Sequence, residues 1–247
     1  MYKRQPDILY IRTDVTSEQA VAQAQAQIIE RFGRSPSYVV SCAGVAPAGA
    51  LLTSPVKMFT RAFDINAAAN VVLAQAFLPA MISNNHGHFM TVASSASYFS
   101  LPNLCAYSMS KTAALAFLET LRAELRAVYK ACRVRTSVVT PTKVRTILAE
   151  GLNAGDDDFL MPVLEPIQVG RAMADTLNSG LSRNISLPLG SALLPYLRAL
   201  PEWYRGALRA LGKTDALVTP ESISRGQQAI RGHQSNLDHL KKLGVHS

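Results

Sequence analysis

Short apolar runs alternate with longer segments of helical periodicity through most of this chain. The runs that predict strands are residues 8–11, 38–41, 89–93, 135–139 and 184–187. The segments that predict helices are residues 18–32, 56–83, 105–130 and 165–179. Strands separated by helices of this length predict a parallel sheet covered on both faces. No internal repeat or low-complexity linker interrupts the pattern, so we expect a single α/β domain.

The composition supports a folded domain and narrows its partners. The 247 residues are 48% hydrophobic and the net charge of +8 is scattered, so neither disorder nor nucleic-acid binding is predicted. Cys42, Cys105 and Cys132 form no Cys-x-x-Cys pair, and the histidines lack metal-ligand spacing, so no metal site is predicted. The amino terminus has no apolar secretory region. We therefore expect a cytoplasmic protein, either free or peripheral on an intracellular membrane.

Residues 187–211 differ from the alternating part of the chain. Apolar pairs there are interrupted by prolines and arginines, and Trp203 and Tyr204 stand among them. Two interpretations stay open: the segment is a lid over a substrate cleft or part of the core, or it lies against a membrane surface. We predict a domain over residues 1–212, with 187–212 as lid or membrane-facing segment, and a polar, loosely ordered tail over 213–247.

The candidate chemistry centres on the Tyr-Ser-Met-Ser-Lys segment at residues 107–111, with Ser94 upstream. A Tyr and a Lys four residues apart on a helix project to the same face. An ammonium close to a phenol favours the phenolate, so we expect Lys111 to lower the pKa of Tyr107 and make it an acid or base at working pH. Ser94 ends a predicted strand, where its hydroxyl can hold a substrate oxygen. Taken alone, the motif is more often an exposed Tyr–Lys pair than a catalytic one.

Further motifs, in the correct order, make the chain resemble the short-chain dehydrogenase/reductase family from about residue 8 to residue 150. Ser94 lies thirteen residues before Tyr107, the interval usual in that family, whereas the neighbouring Ser95 and Ser97 have worse intervals. The Phe-Asp-Ile-Asn stretch ending at Asn66 resembles the family's helix segment that carries a fourth catalytic residue. The resemblance implies a Rossmann-like three-layer fold with a parallel sheet.

The resemblance also implies an oxidoreductase that uses NAD or NADP to interconvert an alcohol and its carbonyl. Tyr107 would exchange the proton, Lys111 would tune the phenol and bind the nicotinamide ribose, Ser94 would orient the substrate oxygen, and Asn66 would hold a water. The hydride itself belongs to the cofactor. The cofactor contacts implied by matching motifs are Asp14, Val15, Ala43, Gly44, Tyr107, Lys111, Pro141, Val144 and Thr146.

Residues 165–211 are similar to the branch of the family that includes retinol and 17-beta-hydroxysteroid dehydrogenases. That branch acts largely on lipophilic alcohols and ketones and is often membrane-bound, so the similarity implies a small lipophilic substrate. The family commonly assembles through its two long helices, which correspond to residues 56–83 and 105–130 here. The resemblance therefore implies a homodimer.

One family element has no counterpart in the chain. Residues 1–32 contain no glycine, and the run at residues 8–11 corresponds to the family's third strand, so the first two strands and the glycine-rich phosphate loop are absent. Three outcomes stay open: a fragment of a longer enzyme, a repacked sheet in which residues 8–11 pair beside residues 38–41, or a chain unstable alone. The function divides in the same way, between a working oxidoreductase and a weak or inactive relative that serves as a binding or membrane-peripheral module.

Overall fold

Four parallel strands form the sheet, in the spatial order β1-β2-β3-β4. The computed structural model describes residues 8–150, 162–211, 214, 217–229 and 231. The strands are β1 Tyr38–Ser41, β2 Gly87–Val92, β3 Val134–Pro141 and β4 Asn184–Leu187. Val39 pairs with Phe89, which pairs in turn with Thr136, and every strand pair is parallel. The predicted parallel α/β arrangement is confirmed.

Helices connect these strands, and most begin and end close to the predicted residues. In the described residues they are α1 Glu18–Phe32, α2 Val56–Phe63, α3 Ala69–Ser83, α4 Cys105–Ala127, α5 Pro166–Ser179 and α6 Glu202–Leu211. Ser17 caps α1 by accepting a hydrogen bond from the Ala20 amide, and Gly33 ends it at a φ of 71°. A π-helical turn, Asp64–Ala68, joins α2 to α3, and 3-10 helices cover Ser95–Ser97, Ile147–Ala149 and Leu189–Ala199.

The core lies between one face of the sheet and helices α1, α3 and α4. Alternate strand residues such as Val39, Phe89 and Val138 point to this face, and they pack with Phe77 of α3 and Leu118 of α4. On the other face of the sheet β1 is uncovered, because Tyr38 and Val40 are exposed. The prediction of a sheet covered on both faces is therefore wrong at β1.

The strand predicted at residues 8–11 does not form. The segment has no regular secondary structure, and β1 pairs only with β2, so repacking beside residues 38–41 is excluded. Ile8, Leu9 and Ile11 instead line an open groove with Ile28 and Phe32 of α1. A four-residue run gains little from an extended conformation unless a neighbouring strand satisfies its backbone groups. In the structure, the apolar side chains of this run lie beside α1 instead.

The continuous helical stretch Val56–Ser83 is long and strongly apolar. Within the described residues it is the one helix whose length and apolar character would allow a membrane span. Its Phe77, Leu78 and Met81 are buried in the core of the domain. A core helix of a soluble domain has the same composition, so we draw no membrane topology from it.

Part of the predicted C-terminal tail is ordered against the domain. Residues 220–229 are helical, and Val218 and Ser222 are buried. The Val218 carbonyl accepts a hydrogen bond of 2.8 Å from the Asn103 side chain. The expectation of a loosely ordered tail is wrong for these residues.

Candidate active site

Two neighbouring elements bring the predicted acid–base residues to one end of the sheet. Ser94 follows β2 and caps the short 3-10 helix after it, while Tyr107 and Lys111 occupy the first two turns of α4. The carboxyl ends of parallel strands are where such folds commonly build their sites. Of the two rival serines, Ser95 and Ser97 both lie within the 3-10 helix, and Ser97 is fully buried.

The Tyr107 phenol lies close enough to the Ser94 hydroxyl for the serine to affect its pKa. The Ser94 hydroxyl oxygen accepts a hydrogen bond of 3.1 Å from the Ala96 amide, which holds its rotamer. Burial raises the pKa of Tyr107 above its usual value of 10.0, and Ser94 lowers it in part. At neutral pH the phenol therefore keeps its proton.

Lys111 behaves differently from the sequence-based prediction. Its ammonium is buried and donates a 2.8 Å hydrogen bond to the Val92 carbonyl, at the end of β2. Burial lowers the pKa of Lys111 to about 8, and the electrostatic influence of Cys42 raises it. The predicted lowering of the Tyr107 pKa by Lys111 is not found, because the ammonium is turned to a backbone carbonyl and burial of the phenol dominates.

Asn66 lies in the middle of the π-helical turn, which is a common feature of functional sites. Its side chain accepts a hydrogen bond from the Val45 amide and donates to the Val45 carbonyl, each at 2.8 Å. It also donates to the Ser110 hydroxyl at 2.8 Å, and that hydroxyl donates to the Tyr107 carbonyl. Asn66 thus ties the loop after β1 to the helical turn that bears Tyr107 and Lys111.

A second asparagine, Asn70, holds the π-helical turn by hydrogen bonds to its backbone. The Asn70 side chain donates to the backbone carbonyls of Asn66 and Ala67, at 2.9 and 3.2 Å. Its amide oxygen accepts a 3.2 Å hydrogen bond from the Thr91 hydroxyl on β2. Sequence reasoning missed both Asn70 and Ser110. The signals for them were present: Asn70 is one helical turn after Asn66, and Ser110 lies inside the Tyr–Lys motif.

Gly44 approaches this cluster so closely that a larger residue would crowd it. A β-carbon built on Gly44 would lie 3.1 Å from the Asn66 amide oxygen and 3.3 Å from the Lys111 ammonium. Its neighbour Ala43 is exposed beside it. The structure therefore brings together Gly44, Asn66 and Lys111, with Tyr107 and Ser94 on the adjoining turn.

Three other predicted cofactor residues, Pro141, Val144 and Thr146, lie at the end of β3 and in the segment after it. Pro141 ends β3, and the side-chain hydroxyl of the next residue, Thr142, is buried without a hydrogen-bond partner among the described residues. Val144 forms an isolated parallel bridge with Leu164, and Thr146 precedes the 3-10 helix Ile147–Ala149.

Asp14 and Val15, the first predicted cofactor residues along the chain, lie just before α1. The Asp14 carboxylate is exposed and accepts hydrogen bonds from the Thr16 amide and hydroxyl, at 2.9 and 2.7 Å. These two hydrogen bonds lower the pKa of Asp14. In the part of the chain that the structure describes, no hydrogen bond joins Asp14 or Val15 to the cluster around Tyr107.

Residues 2–157 match the family model for short chain dehydrogenases. The chain belongs to the short-chain dehydrogenase family. The dehydrogenase RED3 of Cochliobolus heterostrophus is 40% identical over 131 residues, which cover 53% of this chain and 66% of that protein. Human estradiol 17-beta-dehydrogenase 11 is 37% identical over 175 residues, covering 70% of this chain and 56% of the relative. Human epidermal retinol dehydrogenase 2 is 33% identical over 153 residues, covering 62% and 48%.

This short-chain dehydrogenase chain aligns with only about half to two thirds of the length of those curated relatives. Solved structures with the same fold include Thermoplasma acidophilum aldohexose dehydrogenase, with a TM-score of 0.66 over 77% of this chain and 80% of that one, at 18% identity. Escherichia coli serine dehydrogenase gives a TM-score of 0.60 over 72% and 74%, at 20% identity. The predicted family and its Rossmann-like fold are confirmed.

The family typically uses NAD or NADP, and the described residues fit one part of such a cofactor. The close approach at Gly44, the buried ammonium of Lys111 and the buried, unpartnered hydroxyl of Thr142 suit a nicotinamide and its ribose. The pyrophosphate is usually held by backbone amides of a glycine-rich turn between a strand and a helix. No such turn occurs in the described part of the chain.

Proposed function

We propose that this short-chain dehydrogenase interconverts an alcohol and its carbonyl with NAD or NADP. The observation that carries the proposal is the proximity of the Tyr107 phenol and the Ser94 hydroxyl, on adjoining elements, with the buried Lys111 one turn along α4. A phenol and a hydroxyl this close together can both reach one substrate oxygen. That arrangement serves proton exchange at a carbonyl or alcohol oxygen.

Each residue has a role that follows from its contacts. Tyr107, protonated at neutral pH because burial raises its pKa, donates its proton to the oxygen of a carbonyl under reduction. Ser94, with its rotamer held by the Ala96 amide, hydrogen-bonds the same oxygen. A nicotinamide cofactor, when bound, supplies or accepts the hydride. In the oxidative direction Tyr107 takes the hydroxyl proton, and the raised pKa makes that step require a higher pH.

Lys111 and Asn66 act on the reacting groups from the cofactor side. The ammonium of Lys111 lies near Gly44, where a nicotinamide ribose would pass, and with a pKa of about 8 it can both donate and regain a proton near neutral pH. Asn66 fixes the backbone at Val45 by two hydrogen bonds. That contact keeps the Gly44 turn close to α4, so a cofactor bound at that turn would lie beside the helix that bears the phenol.

The substrate is proposed to be lipophilic. Arg198 donates to the Tyr98 carbonyl at 3.4 Å, and Arg209 donates to the Ser100 carbonyl at 2.6 Å. The Arg209 guanidinium also stacks 4.5 Å above the Phe99 ring. These contacts attach the C-terminal segment to the loop between Ser94 and Tyr107, as expected of a lid. The similarity to enzymes named for estradiol and retinol supports the same substrate class.

A second candidate function is a weakly active or inactive relative that serves as a binding module. The observation that favours it is the open side of β1, together with the lack of a glycine-rich turn in the described residues. Amides that hydrogen-bond phosphate oxygens contribute about 1.5–3 kcal/mol each, so losing several weakens cofactor binding by orders of magnitude.

Fluorescence titration of the full chain with NADH and NADPH separates the two candidates. Saturable binding below roughly millimolar concentration supports the oxidoreductase, and its absence in a folded protein supports the module. Tyr107→Phe should keep cofactor binding and lose turnover by at least about a hundredfold. Tyr129→Phe, which removes an exposed phenol two residues past the end of α4, is the matched control and should behave as the parent. Equal turnover in Tyr107→Phe and the parent would remove the proposed mechanism.

A further inference from the structure

The C-terminal segment carries a run of large apolar side chains that the fold leaves in water. We call them the C-terminal apolar face; they lie on the 3-10 helix Leu189–Ala199 and on α6. Leu189 is 85% exposed, Trp203 is 74% exposed and Leu211 is 82% exposed. The members of the face are Leu189, Leu193, Tyr196, Trp203 and Leu211. Single exposed apolar residues are ordinary, but five within two consecutive helices are not.

Folding of the domain does not account for α6. None of its ten residues is buried, although its apolar positions 203, 204, 207, 208 and 211 recur at helical spacing. Such a stripe normally faces a core. Because this one contributes nothing to the core of the described residues, its amphipathic pattern points to a contact outside the described fold.

The segment is nevertheless held firmly against the domain by its arginines. Arg198 and Arg209 donate to backbone carbonyls of the loop at residues 98–100, and Arg205 pairs with Glu202. The polar side of α6 is thus engaged with the domain or with itself. The apolar side is presented outward in a fixed orientation.

The occupant that fits this face is an anionic lipid surface. Residues 187–211 contain three arginines against one glutamate, and the whole chain carries a net charge of +8. Trp, Tyr and Arg beside leucines are the composition of helices that lie in the plane of a membrane interface. A symmetric contact with a second copy would set the same basic segment against itself, which like-charge repulsion disfavours.

We infer that the C-terminal apolar face binds the surface of membranes rich in anionic lipids. A ten-residue helix is about 15 Å long, half the thickness of the hydrocarbon core, so α6 lies along the interface and does not cross it. The inference stands apart from the proposed chemistry. If the chain is also a dehydrogenase, attachment of the face to the loop before Tyr107 places the substrate entrance next to the lipid.

The single tryptophan of the chain, Trp203, reports directly on this contact. The full chain is mixed with vesicles of phosphatidylcholine and phosphatidylserine at about three to one, a surface that attracts basic segments. We expect a blue shift of Trp203 emission and co-sedimentation with the vesicles. Both should weaken when phosphatidylserine is omitted or salt is raised.

Matched leucine variants locate the contact. Leu193→Ser and Leu211→Ser should each lower vesicle affinity about tenfold, because each removes one leucine from the lipid. Leu52→Ser, at a leucine that is 96% exposed and lies in a turn far from residues 187–211 in the sequence, should leave the affinity unchanged. Circular dichroism and the NADH titration confirm that each variant is folded.

Three results would overturn the inference. The first is a folded chain that neither shifts nor sediments with the anionic vesicles. The second is binding that Leu193→Ser and Leu211→Ser leave as strong as Leu52→Ser does. The third is a dimer in lipid-free buffer that these two variants dissociate, with no vesicle binding by the parent, which would assign the face to a second copy. Cofactor affinity is measured separately, so failure here leaves the proposed chemistry untouched.

Discussion

Replacing Lys111 by methionine tests how strongly the folded protein lowers the pKa of this lysine. The Lys111 side chain is only 4% exposed, and among the described residues its ammonium hydrogen-bonds one partner, the Val92 carbonyl, at 2.8 Å. A charged group in such surroundings is disfavoured relative to water. The protein therefore carries the cost of this ammonium whenever Lys111 is protonated.

The size of that cost follows from the proton affinity. The pKa of Lys111 is about 8 in the folded protein, against 10.5 for an unperturbed lysine. At about 1.4 kcal/mol for each tenfold change in proton affinity, the difference is about 3 kcal/mol. The cost is fully present below about pH 8, where both states are protonated. It is relieved as pH rises toward 10.5, because the folded state loses its proton while the unfolded chain keeps it.

Lys111→Met has no such titration, so the two proteins should differ in how stability depends on pH. The free energy of unfolding of the parent should gain about 2 kcal/mol relative to Lys111→Met between pH 7 and pH 9.5. Urea denaturation of both proteins across that range measures the difference, and all other titrations cancel in the comparison. Parallel stability profiles would refute the reasoning, because they would mean that folding leaves the proton affinity of Lys111 unchanged.

Three further predictions concern the surroundings of the site. Gly44→Ala should lower turnover at least tenfold and destabilise the fold by about 1–3 kcal/mol, because its β-carbon would crowd Asn66 and Lys111; steady-state kinetics and urea denaturation measure the two effects. Asn70→Ala should cost about 1–3 kcal/mol of stability by removing the side-chain bonds to the Asn66 and Ala67 carbonyls and the acceptor of the buried Thr91 hydroxyl, and should lower kcat more than it changes KM. His88, whose pKa burial lowers to about 4, should make the melting temperature fall as pH drops from 6.5 to 4, and His88→Gln should flatten that fall.

Each of these predictions has a control or a contradicting result. Gly170→Ala places a β-carbon in open space inside α5, so it should be neutral or stabilising by up to about 1 kcal/mol, unlike Gly44→Ala. Equal behaviour of the two glycine variants would contradict the crowding argument. For Asn70, wild-type kcat would show that the π-helical turn holds Asn66 without it. For His88, an unchanged acid profile in His88→Gln would show that another group titrates.

Local rules predicted much of this fold from the sequence. The helical pattern over residues 18–32 became α1, and the β-rich runs at 38–41 and 184–187 became strands. The Tyr–Lys spacing placed two residues one turn apart at the start of α4. These features depend on neighbours close in sequence, which a single chain displays directly.

Features that depend on distant neighbours could not be predicted. The run at residues 8–11 has strand composition, but strand formation needs a partner edge, and composition does not show whether one is present. The π-helical turn around Asn66 interrupts a stretch whose pattern is that of an unbroken helix. The Tyr107 pKa is raised because the phenol is buried, and Lys111 turns to the carbonyl of Val92, nineteen residues away; both depend on the tertiary fold.

Hydride transfer to a carbonyl can be observed as the transfer of deuterium from nicotinamide-deuterated NADH or NADPH to a lipophilic ketone. Mass spectrometry of the alcohol product measures it for the full chain and for Tyr107→Phe. We expect deuterium in the product of the parent chain, and a rate lower by at least about a hundredfold in Tyr107→Phe at equal cofactor occupancy. Equal rates in both proteins, or no transfer by a parent chain saturated with cofactor, would contradict this expectation.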